Sequence, residues 1–575
     1  MQRRSIPAIL EEIGALLEIE GENPFKVKAY YNAAKILAGH DDLDAVIERG
    51  RLREIKGIGE TLSAKIAEYH DTGKIAYYEE LKRKIPATLL ELLHIPNLGP
   101  RKIRVLYDEL GIANLGELEY ACKENRLISL FGFGAKTQEK ILKGIEFVRR
   151  HKGEFLFGEV YPLALALKER FAQAFPKGLI EVCGSIRRKK EIVRDIDLLV
   201  AAEDWRAVSR YFVAMPEVEE VLAEGETKTS CRLVSGINAD LRVVDRGAFP
   251  CALIYFTGSK EHNVRLRGLA RKRGLKLNEY GLFEGERLLE VGSEADVYER
   301  LGLSYVPPEL REDRGEIEAA QAHNLPRLIE LGDLRGTFHV HTEMSDGTDA
   351  LPAIAEAAQT MGLAYVGICD HSRSAYYAGG LKAEDVLGQW DAIDRFNAEH
   401  PGFVFFKGIE SDILPDGSLD YSDELLAGFD FVVASVHSAF TMSQDDMEAR
   451  LFRAMENPFT TILGHPTGRL LLGREGYRVD MGRIIDAAAA HGVVIELNAS
   501  PYRLDIDWRY LKQAKERGVT IAVNPDAHSA KGLAELFYGV GIARKGWLEA
   551  GDVLNTRDAG AVLQCFREVR DGKKH

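Results

Sequence analysis

Seven short apolar runs in roughly the last 240 residues each stop on a side chain that can ligate a metal ion. The runs end at His339 and His341 (FHVH), at Asp370 and His371 (VGICDH) and at Glu410 (FFKGIE). They continue with His437 (FVVASVH), His465 (TILGH), Glu496 to Asn498 (VVIELN) and Asp526 to His528 (IAVNPDAH). Chance rarely puts a His or a carboxylate at the end of nearly every buried strand. In a (β/α) barrel the strand C-termini form one rim, so these side chains would converge on one mouth. A set of His, Asp and Glu ligands suits a polymetal site holding Mn, Zn or Fe. The pattern restricts this part of the chain to a parallel α/β fold with a metal-dependent site.

At 575 residues the chain exceeds what one core supports, so three or more domains are expected. An apolar content of 46% with 29% charged residues describes a soluble globular protein. No apolar stretch is long enough to span a bilayer and no charged-then-apolar leader opens the chain, which predicts a cytoplasmic protein with no membrane partner. Six Cys without paired spacing argue against a disulfide framework or a CxxC zinc site. A net charge of −14 argues against a protein that is basic all over, yet local basic patches still suffice for nucleic acid.

The first 150 residues follow a helical pattern and carry one motif three times. Ile55-Lys56-Gly57-Ile58-Gly59 precedes TLSAKIAEY, Ile95-Pro96-Asn97-Leu98-Gly99 precedes PRKIRVLYDEL, and Leu130-Phe131-Gly132-Phe133-Gly134 precedes AKTQEKILKGI. Each approximates apolar-x-Gly-apolar-Gly, followed by a helix with basic residues. Glycines permit a tight turn and close backbone approach, and the next helix N-terminus offers unpaired N–H groups to a phosphate. One copy would equally well be a packing turn. Three copies resemble helix-hairpin-helix modules, which bind DNA backbone without reading sequence. The expected DNA contacts are Gly57, Gly59, Lys65, Gly99, Arg101, Lys102, Gly132 and Gly134. The middle copy departs, with Asn97 where the first Gly would be.

Residues 181–200 read EVCGSIRRKKEIVRDIDLLV. Strand alternation places Asp195 and Asp197 on one face and Ile196 in the core. Two such carboxylates can hold two divalent cations, Mg or Mn, that activate a hydroxyl and stabilise a leaving pyrophosphate. Gly184 and Ser185 supply donors for a triphosphate, and Arg187 and Arg188 supply charge. Asp240, in INADLRVVD, adds a third carboxylate. A lone Asp-x-Asp is commonly a solvated strand edge. Gly-Ser, Asp-x-Asp about ten residues on, and a later strand Asp together look like a nucleotidyltransferase palm.

The next segment, ALIYFTGSKEHNVRLR (252–267), joins NPFKVKAYYNAAKIL near the N-terminus and LNEYGLF (277–283) in the same order as in family X DNA polymerases, the polymerase beta family. The chain resembles that family over roughly residues 1–320, and its C-terminal part resembles PHP (polymerase and histidinol phosphatase) domains. That order is the layout of bacterial family X polymerases. The resemblance implies a multidomain α/β protein with helical hairpin DNA-binding domains, a nucleotidyltransferase palm of mixed sheet plus helices, and a C-terminal distorted (β/α)7 PHP barrel. The expected division is an N-terminal helix-hairpin-helix domain (1–85), a second helical DNA-binding subdomain (86–150), the palm (151–245), a nucleotide-side subdomain (246–317), a linker (318–333) and the PHP domain (334–575). Residues 304–326, SYVPPELREDRGEIEAAQAHNLP, read as connector because paired prolines precede a charged stretch.

By the same resemblance, Asp195, Asp197 and Asp240 are the catalytic metal ligands. Gly184, Ser185 and Arg188 hold the incoming triphosphate. Tyr255 and Phe256, in the YFTGS turn, pack against sugar and base, Gly258 ends the turn, and Asn263 reaches the minor-groove edge, with Arg267 and Tyr280 as further partners. Lys189 and Arg194 replace glycines usual in the family, so their side chains are expected to narrow or recharge the phosphate pocket. Asn238 stands where an Arg often supports the third Asp. Lys65 aligns with a lysine that attacks abasic sugars in eukaryotic relatives, although Asn32 and Thr61 replace its usual assisting lysines.

The PHP match covers His339, His341, Asp346, His371, Glu410, His437, His465, Asp526 and His528, implying up to three Mn, Zn or Fe ions. Glu410 would bridge. His339, His341 and Asp526 would share one ion, His437 and His465 another, and Asp346, His371 and His528 the third. Asp370, Glu496, Asn498, Arg469 and Arg503 are expected to support ligands or bind phosphate, and His400 and His491 to lie at the surface. The implied function is template-directed filling of short gaps in DNA repair. The protein would act as a monomer on gapped or primer-template DNA with dNTPs, and carry a PHP 3′–5′ exonuclease or phosphoesterase. One alternative is chiefly a PHP nuclease with an impaired palm; another is a DNA-end scaffold without turnover.

Overall fold

The computed structural model describes residues 6–38, 46–47, 51–86, 88–93, 95, 98–128, 130–149 and 153–573. Pro96 and Asn97 of the middle hairpin lie outside them. The chain divides into two compact units, Met1–Val148 and Arg149–His575. No helix among the described residues is long and apolar enough to cross a membrane, and all six cysteines are free thiols.

The first unit is helical. Helix Ile6–Glu20 buries Ile6, Ile9, Leu10, Ile13, Leu16 and Leu17, the three- and four-residue spacing of one helix face. That face packs on Val27, Tyr30, Ala34 and Leu37 of helix Pro24–Ala38.

In the second unit, β1 (Phe155–Leu156) pairs with β3 (Ile192–Val193). Strands β2 (Leu179–Val182), β4 (Asp195–Ala201), β5 (Val218–Glu224), β6 (Lys228–Leu233) and β7 (Asn238–Val244) form a mixed sheet in the order β2-β4-β7-β6-β5. Only β4 and β7 run parallel. Alternation sends Ile196, Leu198 and Val200 into a core with Val160, Ala164, Leu167 and Phe171 of helix Phe157–Ala174. Leu199 and Ala201, on the opposite face, pack under Phe249, Ala252 and Leu253 of helix Phe249–Thr257. Asp195 and Asp197 share that second face.

Helices Phe249–Thr257, Lys260–Lys272 and Glu294–Arg300 surround a hairpin sheet of β8 (Leu275–Asn278), β9 (Gly281–Glu284) and β10 (Arg287–Leu289). Residues 304–326 are not a loose connector. Val306, Leu310, Ile317 and Ala320 enter this core. Their charged neighbours are paired inside it: buried Arg311 donates to Glu294 (2.6 Å), and Glu316 lies 2.6 Å from His262. Proline and charge spacing looks the same whether charges face water or one another, so the sequence misled here.

The C-terminal fold contains two parallel sheets. One comprises β11 (Gly336–Val340), β12 (Tyr365–Ile368) and β13 (Val404–Lys407); the other comprises β14 (Glu410–Asp412), β15 (Val433–Ser435), β16 (Ile462–Leu463), β17 (Val494–Asn498) and β18 (Ile521–Asn524). Seven apolar runs become eight strands because FFKGIE divides at Gly408, β13 staying with β12 and β14 joining β15. A Cβ at Gly408 would lie 2.1 Å from the Phe431 ring, so glycine alone fits the crossing. Isolated parallel bridges, His371 with Glu410 and Val340 with Ala527, link the sheets in place of the continuous ladder of a regular barrel.

Under β11, the buried Phe338 ring meets Tyr365, Phe406, Phe431 and Phe566 at centroid separations of 5.6, 6.2, 5.3 and 5.4 Å. Phe338→Ala is expected to cost about 3–5 kcal/mol. Urea unfolding followed by circular dichroism should show this as a lower midpoint.

Candidate active sites

The β4–β7 register builds the first site. Asp197 lies opposite Asp240, and Asp195 opposite Asn238. Ligand oxygens of Asp195, Asp197 and Asp240 thereby fall within 4.8 Å of one another. Burial, and then the neighbouring Asp195 and Asp240, push the Asp197 carboxyl up to about 7. Burial followed by Asp240 also raises Asp195. Crowded carboxylates of this kind fit divalent cations. Asp240 accepts from the Ser230 hydroxyl and pairs with the Lys228 ammonium, each at 2.6 Å. Support for the third aspartate thus comes from β6 rather than from position 238. No motif marks Lys228 or Ser230; their alternation on one strand face is the only sequence signal.

Gly184 has φ of +62°, and a Cβ there would lie 2.1 Å from the Asp197 carboxylate. Ser185 follows in the one-turn helix Gly184–Arg187. Arg187 is committed to Glu294 (2.9 and 2.7 Å) and Thr257 (2.8 Å). Arg188 donates to Glu312 (3.0 Å) and to the Thr257 carbonyl (2.7 Å). Tyr255 and Phe256 lie in the last turn of helix Phe249–Thr257 rather than in a turn, because no breaker interrupts the apolar run before Gly258. Arg242 stacks over Phe256 and Arg267 over Tyr255. The Asn263 amide donates to the carbonyls of Tyr255 (2.7 Å) and Gly258 (3.1 Å), bracing the helix end. Tyr280 is exposed between β8 and β9.

The Lys189 and Arg194 side chains each have partners of their own. Lys189 has φ of +56°, a left-handed conformation that glycine adopts without strain. Its ammonium turns away among Phe157, Tyr161 and Phe537, at 5.3, 4.3 and 4.2 Å from the ring centroids. Burial there pulls it down to about 8. Arg194 is exposed and pairs with Glu154 at 2.7 Å.

The second site lies among the strand ends of the C-terminal fold. Four overlapping groups gather the nine expected ligands: His341, Asp346, His371 and His528; His339, His341 and Asp526; His339, Glu410 and His465; and His371, Glu410 and His437. The expected third set thus gains His341. His437 and His465, expected to share one ion, fall instead in separate groups joined by Glu410, whose Oε1 lies 3.2 and 3.0 Å from their Nε2 atoms. His339, His465 and Asp526 have φ of +58°, +22° and +53°, strain concentrated at the site. Buried ring nitrogens of His339, His341, His371 and His465, and Glu410 Oε2, lack well-aligned hydrogen bonds even where carboxylates are near. Such a donor set fits metal ions. Burial disfavours charge on His371, but Asp346 and Glu410 outweigh it and hold the imidazole well above its ordinary range.

Behind the ligands, His339 Nδ1 lies 2.6 Å from Glu496 and His437 Nδ1 lies 2.5 Å from Asp412, which turns the opposite ring nitrogens inward. Asn498 donates to Glu496 (2.9 Å) and Asp526 (3.0 Å), and Arg503 lies 3.5 Å from Asp526. Asp412 has no motif of its own; its place two residues beyond Glu410 on one strand is the signal. Asp370 accepts from Thr342 N–H (2.8 Å), Gln389 (2.5 Å) and the Ser345 hydroxyl, which also lies 3.4 Å from the ligand Asp346. Arg469 is spent on Asp507 (2.6 Å). His400 is exposed and stacks on Phe396, and His491 is half-buried at a helix end.

In the helical unit the three glycine turns close alike: the N–H groups of Ile58, Leu98 and Phe133 donate to the carbonyls of Ile55, Ile95 and Leu130 at 3.0, 3.1 and 3.0 Å. Among the described residues a Cβ at Gly59, Gly99, Gly132 or Gly134 would meet no atom, whereas at Gly57, where φ is +103°, it would meet the end of the Ile36 side chain at 2.7 Å. Lys102 lies 5.6 Å from the Phe133 ring centroid, and exposed Arg101 reaches Glu18. Lys65 lies 4.3 Å from the Tyr77 centroid, and burial lowers its pKa; Asn32 and Thr61 are exposed.

Family models for a helix-hairpin-helix domain match residues 1–75, a SAM-like helix-hairpin-helix tandem 89–146, a DNA polymerase beta thumb 252–312 and a PHP domain 337–500. A DNA polymerase/3′-5′ exonuclease PolX from Bacillus subtilis (strain 168) is 38% identical over 575 residues, 99% of this chain and 100% of that protein. Probable phosphatases from Thermoanaerobacter sp. (strain X514) and Caldanaerobacter subterraneus subsp. tengcongensis are 28% and 29% identical. These matches cover 36% and 34% of this chain, and 91% and 77% of theirs. Similarity along the full length, with the hairpin, thumb and PHP matches in one order, shows that the chain belongs to the PolX family of bacterial family X DNA polymerases.

Proposed function

We propose that this chain is a template-directed DNA polymerase that fills short gaps in DNA repair, and that its PHP site is a 3′–5′ exonuclease for the same DNA ends. The observation that carries the reading is the completeness of both ligand sets in a chain matched along its length by a DNA polymerase/3′-5′ exonuclease. The protein acts as a cytoplasmic monomer on gapped or primer-template DNA with dNTPs.

Asp195, Asp197 and Asp240 would hold Mg or Mn, which supplies activation of the primer 3′-hydroxyl and charge for the leaving pyrophosphate. The primer 3′-oxygen bonds to the α-phosphorus as the bond to pyrophosphate breaks. Ser185 and the Gly184–Lys190 backbone receive the triphosphate with Arg188, while Tyr255 and Phe256 line sugar and base. Asn263 reaches the minor-groove edge only after releasing the helix end it braces. Of the two residues behind the impaired-palm alternative, Lys189 holds its ammonium among aromatic rings, while Arg194 pairs with Glu154 and still lends positive charge to Asp195. At the PHP site the nine ligands would hold up to three Mn, Zn or Fe ions, which supply activated water and Lewis acidity. Hydrolysis there breaks the 3′-terminal phosphodiester and releases a nucleoside monophosphate. The open faces at Gly59, Gly99, Gly132 and Gly134 receive DNA phosphates, with Lys65, Arg101 and Lys102 adding charge.

The direct test is a 5′-labelled primer in a short DNA gap with Mg or Mn. Extension should need dNTPs and vanish in Asp195→Ala, while shortening without dNTPs should vanish in His341→Ala. Shortening with no extension in either metal would favour the nuclease-only alternative. Asp412→Asn should slow shortening about 10- to 100-fold by freeing the His437 ring, with extension rates unchanged in the same preparations.

The Asp197 carboxyl sets a pH effect. As pH climbs from about 4 to 7, the unfolded chain sheds this proton before the folded one, so the ion-free protein loses stability across that window. Asp197→Asn should remove that loss and raise the ion-free Tm at about pH 8 by several degrees. Scanning calorimetry in chelator would show it, and an unchanged Tm would count against the crowding argument.

A further inference from the structure

The turn expected to hold the incoming triphosphate is gripped by one helix of the C-terminal fold, Leu536–Lys545. Phe537 caps the Lys189 ammonium at 4.2 Å. At the other end of the helix Lys545 is fully buried. Its ammonium donates to the Arg188 carbonyl (3.0 Å), the Glu309 carbonyl (3.4 Å) and Glu312 Oε1 (2.5 Å), and lies 4.5 Å from the Trp508 ring centroid. The same Glu312 oxygen accepts Arg188 Nε at 3.0 Å. Alone, Glu312 would cancel the charge of Arg188 and compete with any phosphate for its donors. With Lys545 sharing the carboxylate, the Arg188, Glu312 and Lys545 set carries a net positive charge.

We propose that Lys545 is a positioning residue of the polymerase site: it shares Glu312 with Arg188 and anchors the Arg188 carbonyl, so that Arg188 stays available to the triphosphate of the incoming nucleotide. A helix of the exonuclease-bearing fold thereby sets nucleotide affinity in the palm. The inference rests on the polymerase reading given above.

Single-nucleotide insertion into gapped DNA by the full chain tests it, with shortening in the absence of dNTPs measured on the same preparations. Lys545→Met should raise the KM for dNTP about tenfold while kcat changes less than about twofold, and shortening should be unchanged. Lys545→Arg should restore the KM. Adding Glu312→Gln to Lys545→Met should also return it toward the starting value, because the competing carboxylate is gone. An unchanged KM in Lys545→Met would overturn the proposal. So would a double variant no better than the single one. A parallel fall of kcat, shortening and Tm in both Lys545→Met and Lys545→Arg would overturn it too, leaving Lys545 a packing contact. An unsubstituted chain that shortens primers but never extends them would instead defeat the polymerase reading, and the positioning role with it.

Discussion

Parallel pairing of β4 with β7 forces Asp197 against Asp240, and Asp195 joins them two residues upstream. Like charges so placed repel, and burial removes the water that would screen them. Much of the surrounding palm can be read as accommodation of that repulsion. Lys228 and Ser230 hold Asp240 from β6, and Gly184 gives up its side chain so that the Asp197 carboxylate has room. Repulsion and burial still dominate at Asp197, which keeps the site poised for cations instead of relaxed without them.

The C-terminal site solves a similar problem with a different economy of parts. Its carboxylates face imidazoles, so opposite charges can pair within the pocket, but the cost moves into the backbone: three ligands sit at positive φ. Glu496 and Asp412 hold rings from behind. Their substitution would leave the ligand list intact while loosening its aim.

Much of both sites was legible in the chain. A strand has period two, so Asp195 and Asp197 had to share a face, and ligands at successive strand ends had to meet. What escaped depended on partners far away in sequence. Nothing near Lys189 says that Phe537 will receive its ammonium, and only the glycine usual there in the family signals its left-handed backbone. The stretch 304–326 has the composition of a solvated connector, yet Arg311 and Glu316 are buried because Glu294 and His262 await them. Lys228 and Ser230 acquire meaning only once sheet order sets β6 beside β7. The split of FFKGIE likewise depends on Phe431, which crowds Gly408 from another strand.

That split has a mechanical corollary. Glu410 is the first strand residue beyond the crossing, and each ligand group that includes it draws one histidine from either side: His339 with His465, and His371 with His437. Cations seated there would stitch the two sheets together along the seam where their hydrogen-bonded ladder is interrupted. In such an arrangement the ions would double as fasteners between the two sheets.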